Sequence, residues 1–457
     1  MDLVRINEKD NVSVDVKTGH KVAHQDISKG EDIIKYGFPI GVATSDIKKG
    51  DAVHSHNMKT KLGDKLSYEY TPEMTELAPE KPFEINAYVR KNGDIGIRND
   101  IWIVPTVGCV NSIGKKLSEL TGAFVFSHPY GCSQLGEDHR TTQLILKGLI
   151  KHSNAGGVLV LGLGCENNNI GEMKKILGQC DEERIRFLNI QDCEDEIAEG
   201  KKIIEELKAV ADKDTRESVS VSRLKIGLKC GGSDGYSGIT GNPVAGLVTD
   251  RLCAMGASAV LTEVPEMFGA ETVLFGRCTS REVFNKGVSL INNFKEYFIS
   301  HNQPVSENPS PGNREGGITT LEEKSLGCIQ KGGHSPVTDV IDYGETVKTP
   351  GVTLLNGPGN DIVSITNLAA AGCHLILFTT GRGTPLGGAV PTIKISTNNV
   401  IAAKKPHWID FNAFGDNKKE ISEKLLELIK ETADGRQTRN EIYGCREIAI
   451  FKDGVTL

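Results

Sequence analysis

Ile101-Trp102-Ile103-Val104-Pro105-Thr106-Val107 is followed by Ala123-Phe124-Val125-Phe126, then Val158-Leu159-Val160-Leu161, then Ile185-Arg186-Phe187-Leu188-Asn189-Ile190, with helix-length segments at 112–121, 138–151, 170–178 and 194–210 between them. Short apolar runs alternating with longer segments describe a parallel sheet covered by helices on both faces. The class is therefore α/β, Rossmann-like and largely parallel. In such sheets ligands bind beyond the carboxyl ends of the strands. The loops there read Gly108-Cys109-Val110-Asn111, His128-Pro129-Tyr130-Gly131-Cys132-Ser133-Gln134, Gly164-Cys165-Glu166-Asn167 and Gln191-Asp192-Cys193. Three of them pair a glycine with a cysteine and a neighbouring polar side chain, which ordinary connectors do not require.

The same grammar resumes after the charged stretch Asp212–Glu217, with Leu224–Leu228, Ala259–Thr262, Val352–Leu355, Leu375–Phe378 and Ile448–Phe451 read as strands. Their loops are Lys229-Cys230-Gly231-Gly232-Ser233-Asp234-Gly235, Glu263-Val264-Pro265-Glu266, Asn356–Asp361 and Thr379–Pro385. A long insertion at 301–333 interrupts this lobe, and loops of that length in compact domains usually serve function. Toward the start, residues 1–60 alternate short apolar runs with Gly-Asp and Lys-Gly turns, the mark of a small β-rich module. The polar, Pro-containing stretch from Lys65 to Pro82 reads as a linker. The expected organisation is a β-rich domain at 1–62, a linker at 63–84 and two α/β regions at 85–215 and 220–457.

Composition narrows the function. In 457 residues, 53 Lys+Arg against 60 Asp+Glu leave a formal charge of −7, which lacks the basic footprint that nucleic acid or a membrane surface requires. The N-terminus has no apolar signal-like run and no stretch reaches the ~18–20 apolar residues of a membrane span, so a cytoplasmic location is expected. Eleven cysteines, an odd number with no C-x-x-C pair, read as reduced thiols. No loop completes G-x-G-x-x-G and no G-x-x-x-x-G-K-[ST] occurs, so a nucleotide cofactor is not expected.

Several residues could carry chemistry. His54-x-His56, read on a strand, would present both imidazoles on one face, with His20 or His24 supplying a third nitrogen for a metal; the plainer reading is a pair of surface histidines. Glu166, Glu263, Glu266 and Glu271 lie in or after strand-end loops, where a carboxylate can bind a cation, hold a catalytic lysine, or cap a helix. His128, His139, Lys324 and Lys331 are the candidates for proton transfer, each with an ordinary structural explanation beside it. Backbone N–H groups, Ser233, Thr379, Thr380, Thr384 and Arg382 suit a small carboxylated polyol.

The ordered motifs Gly19-His20-Lys21, Val53-His54-Ser55-His56-Asn57, Pro105–Asn111, Tyr130–Gly136, Gly162–Asn167, Cys230–Gly235, Glu263–Glu271, Asn308–Asn313, Lys324–Cys328, Thr380–Pro385 and Phe451–Leu457 together resemble the altronate/galactarate dehydratase family along essentially the whole chain. The resemblance implies an N-terminal SAF-type domain and a lyase that removes water from D-altronate to give 2-dehydro-3-deoxy-D-gluconate in hexuronate breakdown. It also implies dependence on iron(II) or manganese(II). The N-terminal module is shorter than the family pattern, Val14-Asp15-Val16-Lys17 running almost directly into Gly19-His20-Lys21.

Removing a weakly acidic proton α to a carboxylate requires stabilisation of the resulting charge by a metal or fixed dipoles, and a second acid for the departing hydroxyl. On this basis His20, His54 and His56, with Glu166, are assigned to metal. Proton transfer falls to His128, His139 or Lys324, and substrate binding to Ser233, Asp234, Asn313, Arg382 and Thr384. The expected partner is a small sugar acid, with neither nucleic acid nor membrane, and a homo-oligomer is compatible with this reading. Three alternatives remain open: galactarate or a sulfolactate-like acid as substrate, an iron–sulfur cluster on Cys132, Cys165 and Cys230, and a non-catalytic sugar-acid sensor.

Overall fold

The computed structural model describes residues 3–63 and 67–457. Residues 1–2, which open the N-terminal module, and 64–66, in the expected linker, lie outside the described residues. The N-terminal module consists of two small antiparallel sheets. One has the order Leu3–Val4, Val12–Asp15, Lys21–Ala23, Ala52–Val53, and the other Asp32–Lys35, Phe38–Ala43, Met58–Lys59. Val12, Ala23, Ile33, Ile40, Ile47 and Val53 form its interior, and this apolar cluster is continuous with that of the C-terminal region through Leu321 and Leu326. Residues 67–83 have no regular structure but are tied down: Tyr70 Oη donates to Cys278 O (2.9 Å) and Glu73 N to Gly276 O (2.7 Å).

The first α/β sheet has four parallel strands in the order Phe124–Val125, Asp100–Pro105, Ala155–Gly162, Ile185–Asn189. Every residue of Ala155–Gly162 is buried, which explains why its sequence is apolar rather than alternating. Helices Asn111–Thr121, Gly136–Ile150, Ile170–Leu177 and Glu196–Ala211 follow the strands. In a separate three-stranded sheet, Glu84–Val89 pairs antiparallel with Glu217–Ser220 and with Ile95–Gly96.

The second α/β sheet has seven parallel strands in the order Val337–Ile341, Gly351–Leu355, Ser258–Leu261, Lys225–Cys230, Leu375–Thr380, Thr392–Ser396, Phe411–Asn412. The chain winds outward in both directions from the pair Lys225–Cys230 and Leu375–Thr380, so the loops leaving these two strands flank a crevice. Among the described residues no helix is long and apolar enough to cross a membrane.

Three local expectations are corrected. Ile448–Phe451 is not a strand: the Ala449 and Phe451 N–H groups donate to Thr366 Oγ1 and Tyr343 Oη instead of a neighbouring strand. His54-Ser55-His56 lies in a turn after Ala52–Val53, closed by Asn57 N donating to His54 O and His54 N to Asn57 Oδ1. The 301–333 insertion is not an irregular loop throughout. Ser310 and Thr320 cap helices Pro311–Glu315 and Leu321–Cys328, and the second of these is buried along its whole length.

Candidate active site

The crevice at the switch point is shaped by glycines. A Cβ on Gly231 would lie 2.5 Å from Asp361 Oδ2, and one on Gly381 would lie 2.2 Å from the Asp234 carboxyl carbon, so only glycine lets these loops close on the carboxylates. Gly381 N and Arg382 N both donate to Gly232 O, joining the two loops. Asp234 is buried and accepts from Thr397 Oγ1 (2.9 Å), Asn398 Nδ2 (2.8 Å) and Ser237 Oγ (2.9 Å). Burial pushes its carboxyl up despite those donors. After the neighbouring strand Ser258–Leu261, Glu263 takes a left-handed backbone conformation (φ 71°) and starts the turn Val264–Met267, an uncommon state for a residue with a side chain.

That turn drives two carboxylates into a buried charged cluster. Lys229 pairs with Glu263 in a short contact and with Asp361 at 2.9 Å, and Lys331 Nζ lies 3.3 Å from Glu263 Oε2. Glu266 accepts from Lys324 Nζ on Oε1 (2.9 Å) and from Cys328 Sγ (2.9 Å) and Cys230 Sγ (3.3 Å) on Oε2. Burial alone would raise the Glu266 carboxyl, but Lys324, Lys229 and Lys331 outweigh it and hold it well below the usual carboxylate range. Burial would likewise depress Lys324, yet Glu266 keeps it raised, so it rests as an ammonium. The two sulfurs are 3.2 Å apart; their contact and burial push the Cys328 thiol up.

Lys324, Glu266, Cys230, Asn308, Ser310, Asn313, Asp361 and the Gly231-Gly232 backbone line one open cleft of about 500 Å³. Lys324 Nζ also donates to Asn308 Oδ1 (3.0 Å) and Asn313 Oδ1 (3.2 Å), and Asn313 Nδ2 donates to Ser233 O (2.8 Å). Of the expected site residues, Lys324 and Asn313 line this cleft, Ser233 is tied to it by its backbone carbonyl, and Asp234 lies behind it in the adjoining loop. Arg382 stands at the margin, exposed and paired with Glu315 (3.0 Å), and Thr384 Oγ1 accepts from Leu386 N beside the cleft wall. Lys229, Asp361 and Cys328 had no assigned role. Lys229 lies within an apolar strand, and Cys328 falls in a quoted motif without a partner nearby in sequence.

The remaining residues do not line this cleft. His128 is buried, with Nε2 at 2.8 Å from Pro105 O and Nδ1 accepting from Tyr130 N, so both ring nitrogens are used within the fold. Glu166 accepts from Thr106 Oγ1 (2.6 Å), Leu163 N (3.0 Å) and Gly164 N (2.6 Å), closing its own loop. His139 is half-buried on the helix Gly136–Ile150. The rings of His20 and His54 are 5.8 Å apart, His54 Nε2 meets Arg314 O at 3.0 Å, and His56 is exposed. These histidines stand where the N-terminal module meets the segment carrying Arg314 to Gly317.

That joint is anchored by a buried triad. Lys21 Nζ donates to Glu323 Oε2, Gly317 O and Thr319 Oγ1, all at 2.8 Å, and Lys35 Nζ reaches Glu323 Oε1 at 2.8 Å. Glu323 precedes Lys324 on one helix, so the N-terminal module grips the element that presents Lys324 to the cleft.

Among the described residues, the one set of three metal-type donors within 4.8 Å of one another is Cys230, Glu266 and Cys328, all buried. Two thiols and a carboxylate can hold a divalent metal once the thiol protons leave. Cys132 and Cys165, in contrast, are exposed and lie on the four-stranded sheet, remote in topology from Cys230 on the seven-stranded one.

Comparison with known proteins agrees with this architecture. Residues 4–61 match the altronate/galactarate dehydratase SAF domain, residues 87–212 the second domain of D-galactarate dehydratase/altronate hydrolase, and residues 221–456 the C-terminal domain of D-galactarate/altronate dehydratase. The chain is 51% identical to altronate dehydratase of Escherichia coli (strain K12), across 99% of this chain and 94% of that protein. It is 52% identical to altronate dehydratase of Bacillus subtilis (strain 168), across 98% and 93%. Galactarate dehydratase (L-threo-forming) of E. coli is 30% identical, across 95% and 90%. The chain belongs to the D-galactarate/altronate dehydratase family.

Proposed function

We propose that this protein is a hydro-lyase of hexuronate breakdown that converts D-altronate to 2-dehydro-3-deoxy-D-gluconate and water. The observation that carries the reading is the Lys324–Glu266 pair opening on the cleft, because it places a buried ammonium where a sugar acid can lie. The similarity to two altronate dehydratases at 51% and 52% supports the aldonate over the aldarate substrate.

In this reading Asn308, Ser310, Asn313 and the Gly231-Gly232 backbone take the hydroxyls and carboxylate of the acid. The C2 proton passes to a base on the cleft wall, where Asp361 is a carboxylate with an exposed side (37%). The Lys324 ammonium gives its proton to the 3-hydroxyl as the C3–O bond breaks, so water leaves and the enol relaxes to the 2-keto acid. Cys230, Cys328 and Glu266 would hold the divalent ion, and two sulfur donors suit iron(II) better than the harder manganese(II). Held there, such an ion would supply positive charge that offsets the negative charge formed when the C2 proton leaves.

The test is turnover of a panel of aldonates and aldarates by the iron(II)-loaded enzyme, read by product identification. D-altronate should give the highest kcat/KM, with galactarate far below it. A preference for galactarate would overturn the substrate, and binding of sugar acids without product would overturn the enzyme.

A further inference from the structure

The cysteines that recur in the strand-end loops of the four-stranded sheet take no part in the site above. Cys109, Cys132 and Cys165 are all exposed, whereas Cys230, Cys278, Cys328 and Cys373 are buried, the usual state of a free cysteine. They follow three neighbouring parallel strands, Asp100–Pro105, Phe124–Val125 and Ala155–Gly162, so their loops leave the same edge of the sheet.

These loops are bonded to one another beside the cysteines. Gly108 N donates to Tyr130 O (2.9 Å), Asn168 N to Gly131 O (2.9 Å) and Ser133 N to Asn167 Oδ1 (3.0 Å). The buried side chains of His128, Glu166 and Asn168 add bonds to Pro105 O, Gly164 N and Thr106 O. A Cβ on Gly131 would lie 2.0 Å from Thr106 O, and one on Gly164 2.5 Å from Gln191 Oε1, so the loops have no slack. Two of the sulfurs have polar neighbours, Gln191 Nε2 at 3.7 Å from Cys165 Sγ and Ser133 Oγ at 3.9 Å from Cys132 Sγ. In the same loops, Gln134 Nε2 and Asn168 Oδ1 are buried atoms of nearly inaccessible side chains and have no hydrogen-bond partner. Rigid, mutually bonded loops that carry three exposed thiols on one sheet edge can hold a bound group with thiolate ligands.

We propose that Cys109, Cys132 and Cys165 ligate an iron–sulfur cluster of the cubane type, leaving one iron without a protein thiolate. Among the described residues the three sulfurs do not lie within 4.8 Å of one another, as ligands of a single ion would. In a cubane each thiolate takes a different iron, so wider spacing is needed. A fourth cysteine of this region, Cys193, directs its thiol to Asn189 O (3.3 Å), which leaves three ligands. Binding exchanges three thiol protons for three iron–sulfur bonds. The assignment is independent of the substrate and of the Cys230–Glu266–Cys328 site.

The test is full-length protein purified without oxygen and reconstituted with ferric iron, sulfide and a thiol reductant that converts half of the iron to the ferrous state. About four acid-labile sulfides and about five irons per chain are expected, four in the cluster and one at the Cys230–Glu266–Cys328 site, with a broad visible charge-transfer band bleached by dithionite. Cys132→Ser and Cys165→Ser should each lose most of that band, while Cys230→Ser should keep it. Mass mapping after iodoacetamide should find Cys109, Cys132 and Cys165 protected in the reconstituted protein and alkylated after chelation, which holds even where a variant folds poorly. Absence of sulfide, one ion per chain without sulfide, or an undiminished band in a folded Cys109/Cys132/Cys165 triple serine variant would each overturn the proposal.

Discussion

Lys324 and Glu266 meet at 2.9 Å inside the cleft, and the second oxygen of the same carboxylate faces Cys328 and Cys230. One carboxylate therefore couples Lys324, the proposed proton donor, to the sulfurs that can hold a metal. Because both partners are buried, the pair is held in one geometry rather than exchanged with solvent.

Removing the ammonium separates chemistry from binding. Lys324→Met should lower kcat by about 10²–10⁴ with a smaller change in KM, the range of a lost general acid. It also leaves Glu266 without its nearest cation, a loss of about 3–5 kcal/mol in folding stability by analogy with other broken buried pairs. Steady-state kinetics and chemical denaturation check the two effects; an unchanged kcat removes Lys324 from the mechanism.

The joint between the N-terminal module and the Lys324 helix should be acid-sensitive. Burial alone would raise the Glu323 carboxyl, but Lys21 and Lys35 hold it down at about 2, against an ordinary 4.5. With the folded value depressed, the unfolded state binds more protons in between. The stabilisation is thus complete above about 4.5 and disappears as pH falls through about 2. The shift corresponds to about 3 kcal/mol. Glu323→Gln should be less stable at pH 6 and lose that part of the acid dependence, as read by denaturation midpoints between pH 6 and pH 3; an identical acid profile in wild type and variant would contradict it.

Gly381 tests how closely the switch-point loop approaches Asp234. A methyl at this position would fall 2.2 Å from the carboxyl carbon, so Gly381→Ala must displace Asp234 from Thr397 and Asn398 or move the loop. The expected cost is about 1–3 kcal/mol, the range of overpacking, together with a raised KM for the sugar acid. Wild-type stability and KM in this variant would show that the loop yields freely.

The parallel sheets could be read from the sequence because their central strands are buried on both faces, and so Ala155–Gly162 and Leu375–Thr380 stand out as apolar runs. Thr392–Ser396 did not, since its buried Lys394 and threonine read as surface residues. Ile448–Phe451 has a strand's composition, and only the hydroxyls of Thr366 and Tyr343 show that no ladder forms. The same limit applies to the site. Glu263 and Glu266 were recognisable as strand-end carboxylates, but their partners Lys229, Lys324 and Lys331 are brought to them by tertiary folding. Period-two reasoning placed His54 and His56 on one strand face, whereas Asn57 bends the chain there.

The most direct test of the account is D-altronate dehydration by wild-type protein and Cys328→Ala, each stripped with a chelator and then given iron(II), with metal content measured alongside. Wild type should lose turnover on stripping and regain it with iron(II), while folded Cys328→Ala should regain little. Full-speed turnover by the stripped wild type, or full recovery by Cys328→Ala, would contradict the claim that Cys230, Glu266 and Cys328 hold the ion that works with Lys324.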